Sequence, residues 1–341
     1  MKKILLALFI FCAFLFMHSC MNEKGLPQIN VSYPAAYIVN SGDNTISVID
    51  LTDNTVKDKI SLPGLHPYHI YISPNKKLLA VSVTNADMSN GFPVSGFNGY
   101  NSGNKVIVID ALTKEIVKEI SLPKLASNAV FSFSNSELWI GQADDVQSSM
   151  LIYNTTNWAL INTIAVGKGI GEITFCSDGD MSFSSTAGDD SVQMYNVSDK
   201  SFLMSTSLSS HPIGAWPSDY HTDFIVCDMN NRIYELNATT CMLLDSMLLS
   251  FKPGHTAYVA SKSELWVSDV TNGKVAWFTK TGSHWTQQGT IPVGNNPRWL
   301  QVDNSGGKVY VANQNDNTVS LIDMNSHSLI KTIPVNQLIA A

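Results

Sequence analysis

Three stretches of this 341-residue chain set histidine beside proline: His66-Pro67-Tyr68-His69, His211-Pro212 and Pro253-Gly254-His255. A fourth, Asn296-Pro297-Arg298, carries arginine instead. Pro67, Pro212, Pro253 and Pro297 align, so His66 matches His211 and His69 matches His255. Imidazoles gathered at one place hold a divalent metal, bind a ligand or move protons. The metal candidates are His66, His69, His211 and His255, but no HxH or HExxH spacing supports them. The alternative is that each imidazole bonds a neighbouring carbonyl, and no cofactor is expected. Asn128 and Arg298 join the four histidines as ligand-binding candidates, with the aromatic residues of a Gly- and Asn-rich stretch, ADMSNGFPVSGFNGYNSG (86–103): Phe92, Phe97 and Tyr100. Long loops on rigid scaffolds are where binding residues concentrate. The bland reading of that stretch is a floppy insert.

Other chemistry is missing from the text. There is no P-loop, no nucleophile elbow, no CxxC and no haem-attaching CxxCH. Acids and amides do recur, at Asp50, Asp110, Asn154, Asn196, Asn237 and Asp323. A catalytic carboxylate is needed once or twice, whereas an Asx residue in nearly every copy of a unit suits turns.

That unit must position everything above. Its clearest copy, VYVANQNDNTVSLIDMNSHSLIKTIPV (309–335), alternates apolar residues between Asn/Asp clusters, the pattern of three antiparallel strands joined by tight turns. The residues Tyr37, Ala80, Trp139, Ser182, Phe224, Trp266 and Tyr310 mark the same place in seven copies, spaced by about 43 residues except where 86–103 is inserted. Each copy adds an inner strand, expected at 68–73, 129–134, 172–176, 212–216, 256–260 and 299–303, and at 28–32 for the first copy. The fold class expected is all-β: a seven-bladed β-propeller of four-stranded antiparallel blades. The ring closes by blade-to-blade packing or by a strand from 337–341. In such a ring the His-bearing joints and the 86–103 loop open on one face. Trp139, Trp266 and Trp299 are expected to pack the core or the blade interfaces.

YIVNSGDNTISVID, KVYVANQNDNTVSLID and the trailing KTIPV resemble the YVTN family of seven-bladed propellers, which includes periplasmic and surface-layer repeat proteins. The resemblance covers about nine-tenths of the chain and implies fold far more than function.

Charged residues make up only 14% of the chain, and the net charge is −7 with no Lys/Arg cluster, so no nucleic-acid partner is expected. Residues 1–20, MKKILLALFIFCAFLFMHSC, resemble a lipoprotein signal peptide with Cys20 as the lipidated residue; the alternative is an uncleaved anchor. Residues 21–27 form a tether, and 28–341 the propeller. Both leader readings predict export and attachment to a membrane, in the periplasm or at the cell surface. A Cys227–Cys241 disulfide is conceivable there. The function expected is a lipid-anchored binding or scaffold module whose loop-bearing channel face takes a protein or small ligand. The alternatives are a periplasmic enzyme at the rim histidines, lactonase-like or a metal-dependent oxidoreductase, and a structural surface-layer-like protein.

Overall fold

A computed structural model describes residues 30–335, apart from 65, 89–90, 177, 219–222 and 304–306. The chain divides into two units, Met1–Asn30 and Val31–Ala341, and the sheets lie in the second. The leader, Cys20, the tether and the 337–341 strand considered for ring closure lie outside the described residues.

Seven antiparallel sheets follow one another along the second unit, at 35–61, 67–122, 126–166, 170–207, 212–248, 253–292 and 297–334. We call them blades one to seven. Six have four strands in simple meander order, and blade one has three among the described residues. The inner strand expected for blade one at 28–32 is not formed by 30–32. Instead the Val31 N–H donates to the Leu112 carbonyl of blade two (2.9 Å), so this segment runs along a neighbouring turn.

Every sheet is sandwiched between two others, so its middle strands are apolar on both faces. The second strand of blade two, Leu78–Val83, is buried along almost its whole length, while the outer strand of blade one, Thr55–Ser61, is largely exposed. Among the described residues, apolar side chains collect in seven clusters between blades, one of which joins Tyr68 and Met88 of blade two to the interface of blades three and four. Phe183 of blade four stacks on Phe224 of blade five at 4.1 Å, one such contact. Ile49 of blade one joins Tyr310, Val319, Leu321 and Ile333 of blade seven in the cluster that closes the ring.

The recurring Asx residues serve turns. Asp50, Asp110, Asn154, Asn196, Asn237 and Asp323 each accept a backbone N–H from two residues further on. The same turn ends on a residue with positive φ, and its side chain reaches the preceding blade. Lys114 (φ 66°) pairs with Asp58, and Lys200 (φ 66°) donates to Glu137 Oε2 at 2.8 Å. His327 (φ 49°) stacks on Trp277 at 3.7 Å, with Nε2 3.1 Å from Glu264 Oε1. Asn54 (φ 56°) completes the set, accepting from the Tyr310 hydroxyl of blade seven at 3.0 Å.

Cys176, Cys227 and Cys241 are buried and free. The conceivable Cys227–Cys241 disulfide is therefore absent; both thiols pack as small apolar groups in different interface clusters.

Candidate functional site in the channel mouth

The six described inner strands begin at Pro67, Ala126, Ile170, Pro212, Pro253 and Pro297. Each has an irregularity of register just after that first residue. A bulge re-aims side chains and is frequent beside functional sites. Its repetition gives the ring two tiers. The second residues, Tyr68, Ser127, Gly171, Ile213, Gly254 and Arg298, all line one cavity of about 120 Å³. The third residues are His69, Asn128, Glu172, Gly214, His255 and Trp299. Of these, His69, Glu172 and Trp299 also line the cavity, with Trp216, Phe92 and Lys252. A space of this size holds on the order of ten waters or one small organic molecule.

An aromatic chain crosses the channel. Trp216 lies 4.3 Å from His255, His255 is 3.9 Å from Trp299, and His69 is 4.8 Å from Trp299 and 5.3 Å from Tyr71, all between ring centroids. Gly214 makes room for it: a Cβ there would sit 2.2 Å from the Trp216 ring.

Against these rings lies one carboxyl group, Glu172, whose side chain is 5% exposed. Both donors that reach it choose the same oxygen. The Tyr71 hydroxyl donates to Oε1, and Asn128 Nδ2 donates to Oε1 at 3.0 Å. Asn128 also bonds both backbone groups of Ile173, accepting from N at 3.1 Å and donating to O at 2.8 Å. It thereby spans blades three and four as a strand neighbour would. Oε2 faces His69 Nε2 at 3.6 Å, beyond hydrogen-bond length. Burial raises the Glu172 pKa from 4.5 to about 8, against the lowering pull of the Tyr71 and Asn128 donors. Burial lowers His69 to about 4, and lowers His255 well below its usual range with help from nearby His69. At neutral pH the imidazoles are uncharged and the carboxyl is mostly protonated, with Oε2 as the oxygen left to carry the proton. Arg298 and Lys252 are the cations on the wall.

The histidines expected to gather at one rim separate into two pairs. His69 lines the cavity, and His255 is buried beside it, packed on Trp216 and Trp299 without lining it. His66 and His211 precede the inner strands and do not line the cavity. His66 donates its backbone N–H to Asn44 Oδ1 (3.0 Å), while His211 Nδ1 lies 2.6 Å from the Ala187 carbonyl and 2.8 Å from Asp190 Oδ1. Among the described residues no three His, Cys, Asp or Glu side chains form a metal-ligating set.

The described residues of the insertion pack against blade three rather than standing free. Phe97 is 1% exposed in the interface cluster of blades three and four, and the short 3-10 turn Phe97–Tyr100 begins there. Asp145 of blade three accepts from Gly96 N (2.7 Å) and Asn98 N (3.4 Å). Tyr100 packs against the same cluster, and its carbonyl accepts from Asn104 Nδ2 at 2.6 Å. Phe92 alone of the three aromatics reaches the cavity, stacked on Tyr68 at 6.2 Å. The loop turns back at Gly91, φ 99°, where a Cβ would sit 2.5 Å from an Arg298 guanidinium nitrogen.

His69, Asn128, His255, Arg298 and Phe92 are legible as candidates in the sequence, whereas Glu172, Trp216 and Tyr71 do not stand out there. Trp299, expected in packing, is on the cavity wall. Aligning third residues from a shared strand start would have put Glu172 in one column with His69 and His255.

The profile of a family described as "Lactonase, 7-bladed beta-propeller" matches residues 224–332. No curated protein matches the chain. Among solved structures, the Pseudomonas aeruginosa periplasmic gluconolactonase is similar with a TM-score of 0.67 and 15% identity, over 89% of this chain and 96% of that one. A putative 6-phosphogluconolactonase from Bacteroides fragilis gives 0.69 and 12%, over 90% and 95%. Kuenenia stuttgartiensis hydrazine synthase gives 0.66 and 14%, over 80% and 87%. At these identities the likeness speaks for the propeller fold alone.

Proposed function

We propose that the chain hydrolyses a small lactone in the channel mouth, with Glu172 as the proton-transfer group. One observation carries this reading: a buried carboxyl, poised near neutral pH, with one oxygen fixed by two donors and the group set on the wall of a cavity sized for a small molecule. A catalytic acid–base works best with its pKa near the operating pH. The lactonase-family match over 224–332 and the two gluconolactonase-titled neighbours support the choice of lactone.

In the proposed step, Glu172 carboxylate takes a proton from water as the water oxygen bonds to the lactone carbonyl carbon. Charge developing on the carbonyl oxygen is met by the Arg298 guanidinium. Collapse breaks the ring C–O bond, and Glu172 returns the proton to the departing ring oxygen, leaving a hydroxy acid. The uncharged imidazoles and the indole rings exclude water and give the substrate apolar faces.

The test is ring opening of glucono-δ-lactone by wild type and Glu172→Gln. We expect kcat/KM to rise with pH through about 8, as the carboxylate forms. Glu172→Gln is expected to lose about 10²–10⁴-fold. A wild-type rate no faster than buffer, or full activity in Glu172→Gln, overturns the proposal.

A second reading, small-ligand binding without turnover, has its own support. Ser127 Oγ and Trp216 Nε1, both on the cavity wall, make no hydrogen bond within the protein. We further propose, on the leader sequence, that the protein is exported and lipid-anchored at Cys20.

A further inference from the structure

The residue that follows the second strand has the same backbone bond in blades two to seven. Thr84, Ala143, Ala187, Met229, Val270 and Gln314 each donate N–H to the carbonyl just before their own blade's inner strand, at 2.9–3.4 Å. With the backbone role shared, a change of side chain at this address serves something other than the repeat. Blades two, three, four and seven carry a small or polar residue there. Blades five and six carry Met229 and Val270, and of the six these two line the cavity. Their turns are pinned by buried carboxylates. Asp228 accepts from Asn230 N and Arg232 N, both at 2.9 Å, and Asp269 accepts from Thr271 N (3.1 Å) and Asn272 N (3.0 Å). Gly254 leaves space for Val270, since a Cβ there would sit 3.0 Å from Val270 Cγ2. Ile213, at the second position of the blade five inner strand, adds a third aliphatic group to the same wall.

Resting on the lactonase reading above, we propose that the substrate is a lactone bearing a short alkyl arm, seated on Ile213, Met229 and Val270. Glu172 belongs to blade four and Arg298 to blade seven, so blades five and six lie between them in the ring. A lactone ring reaching from the carboxyl to the guanidinium therefore has this aliphatic sector at its side. A hydroxylated arm would lose water there without gaining a hydrogen bond from these three side chains, which is unfavourable. A hydrocarbon arm gains with every methylene it buries. Met229 is 40% exposed at the mouth, and its unbranched thioether can follow arms of different length.

Initial rates on δ-valerolactone, δ-hexalactone and δ-octalactone, corrected for hydrolysis in buffer, test the proposal. In wild type kcat/KM should rise about two- to fourfold per added carbon. The double variant Met229→Gln with Val270→Thr keeps side-chain size while making the sector polar, and the gain per carbon should nearly vanish. Binding is read separately from turnover, by quenching of tryptophan fluorescence with cyclohexanone and propylcyclohexanone, which cannot be hydrolysed. The propyl compound should bind about tenfold more tightly to wild type, and the double variant should lose that preference. A flat lactone series, or an equal slope in the double variant, overturns the alkyl arm; opening of glucono-δ-lactone that still depends on Glu172 would then leave the lactonase reading standing. A preference for the propyl ketone without turnover of any lactone overturns the lactonase reading and keeps the apolar seat as a binding site.

Discussion

At the scale of single residues, Glu172 is the informative group, because burial on the cavity wall raises its carboxyl pKa to about 8. Its proton belongs to the fold. A group whose pKa is raised from 4.5 to about 8 stabilises the native state fully below about pH 4.5 and loses that contribution as pH climbs through 8. Glu172→Gln keeps an acceptor for Tyr71 and Asn128 and places an amide where the acid O–H stood. Its stability advantage over wild type should therefore grow between pH 5 and 8 by on the order of 1.4 kcal/mol per pH unit. Urea midpoints taken along that series check it; parallel curves for the two proteins would show that the carboxyl is not buried as described. His69 has the opposite sign. Its pKa is depressed from 6.5 to about 4, so its contribution is present above 6.5 and fades on acidification through 4. The two effects fall in separate windows, and the glutamine variant isolates the alkaline one.

At the scale of elements, the insertion behaves as a structural wedge with one functional tip. Phe97 is sealed in the interface of blades three and four, while Phe92 faces the cavity. Phe97→Ala should cost about 3–5 kcal/mol, read as a lower denaturant midpoint. Phe92→Ala, partly exposed, should leave the midpoint nearly unchanged and instead raise KM for the lactone. Equal losses of stability from both would refute this division. Strand order, turn positions and the place of the insertion were legible in the sequence, since period-2 alternation and Asx turns are local signals. The channel tiers were not, because the bulge after the first residue of each inner strand breaks the alternation that sequence reading relies on. Inner strands were accordingly expected to start at 129 and 256, where the structure has Ala126–Phe131 and Pro253–Val259. With starts out of register, Glu172 read as an ordinary strand residue and Trp299 as packing.

At the scale of the whole molecule, the ring separates its two faces. The cavity opens where the blade joints and the insertion lie; Val31, at the start of the described ring, is bonded to the Asx-turn face through Leu112. The proposed anchoring through Cys20 uses no residue of the proposed site, so it is expected to be independent of catalysis. Cys20→Ser should shift the protein out of the membrane fraction and leave lactone kcat/KM unchanged; unaltered detergent partitioning and mass would refute lipidation. The two-tier ring has a further consequence for descent by duplication. Packing residues and turn Asx groups recur among the blades, whereas each blade writes its own letter at the second and third address of its inner strand. Ser127 belongs to no interface cluster and could be rewritten freely, whereas Ile213 packs against the cluster of blades five and six and a Cβ at Gly171 would sit 2.8 Å from Ser185 Oγ. Divergence of specificity is thus partly decoupled from divergence of fold, and a lineage of such rings could explore new substrates first through the addresses that carry no packing role.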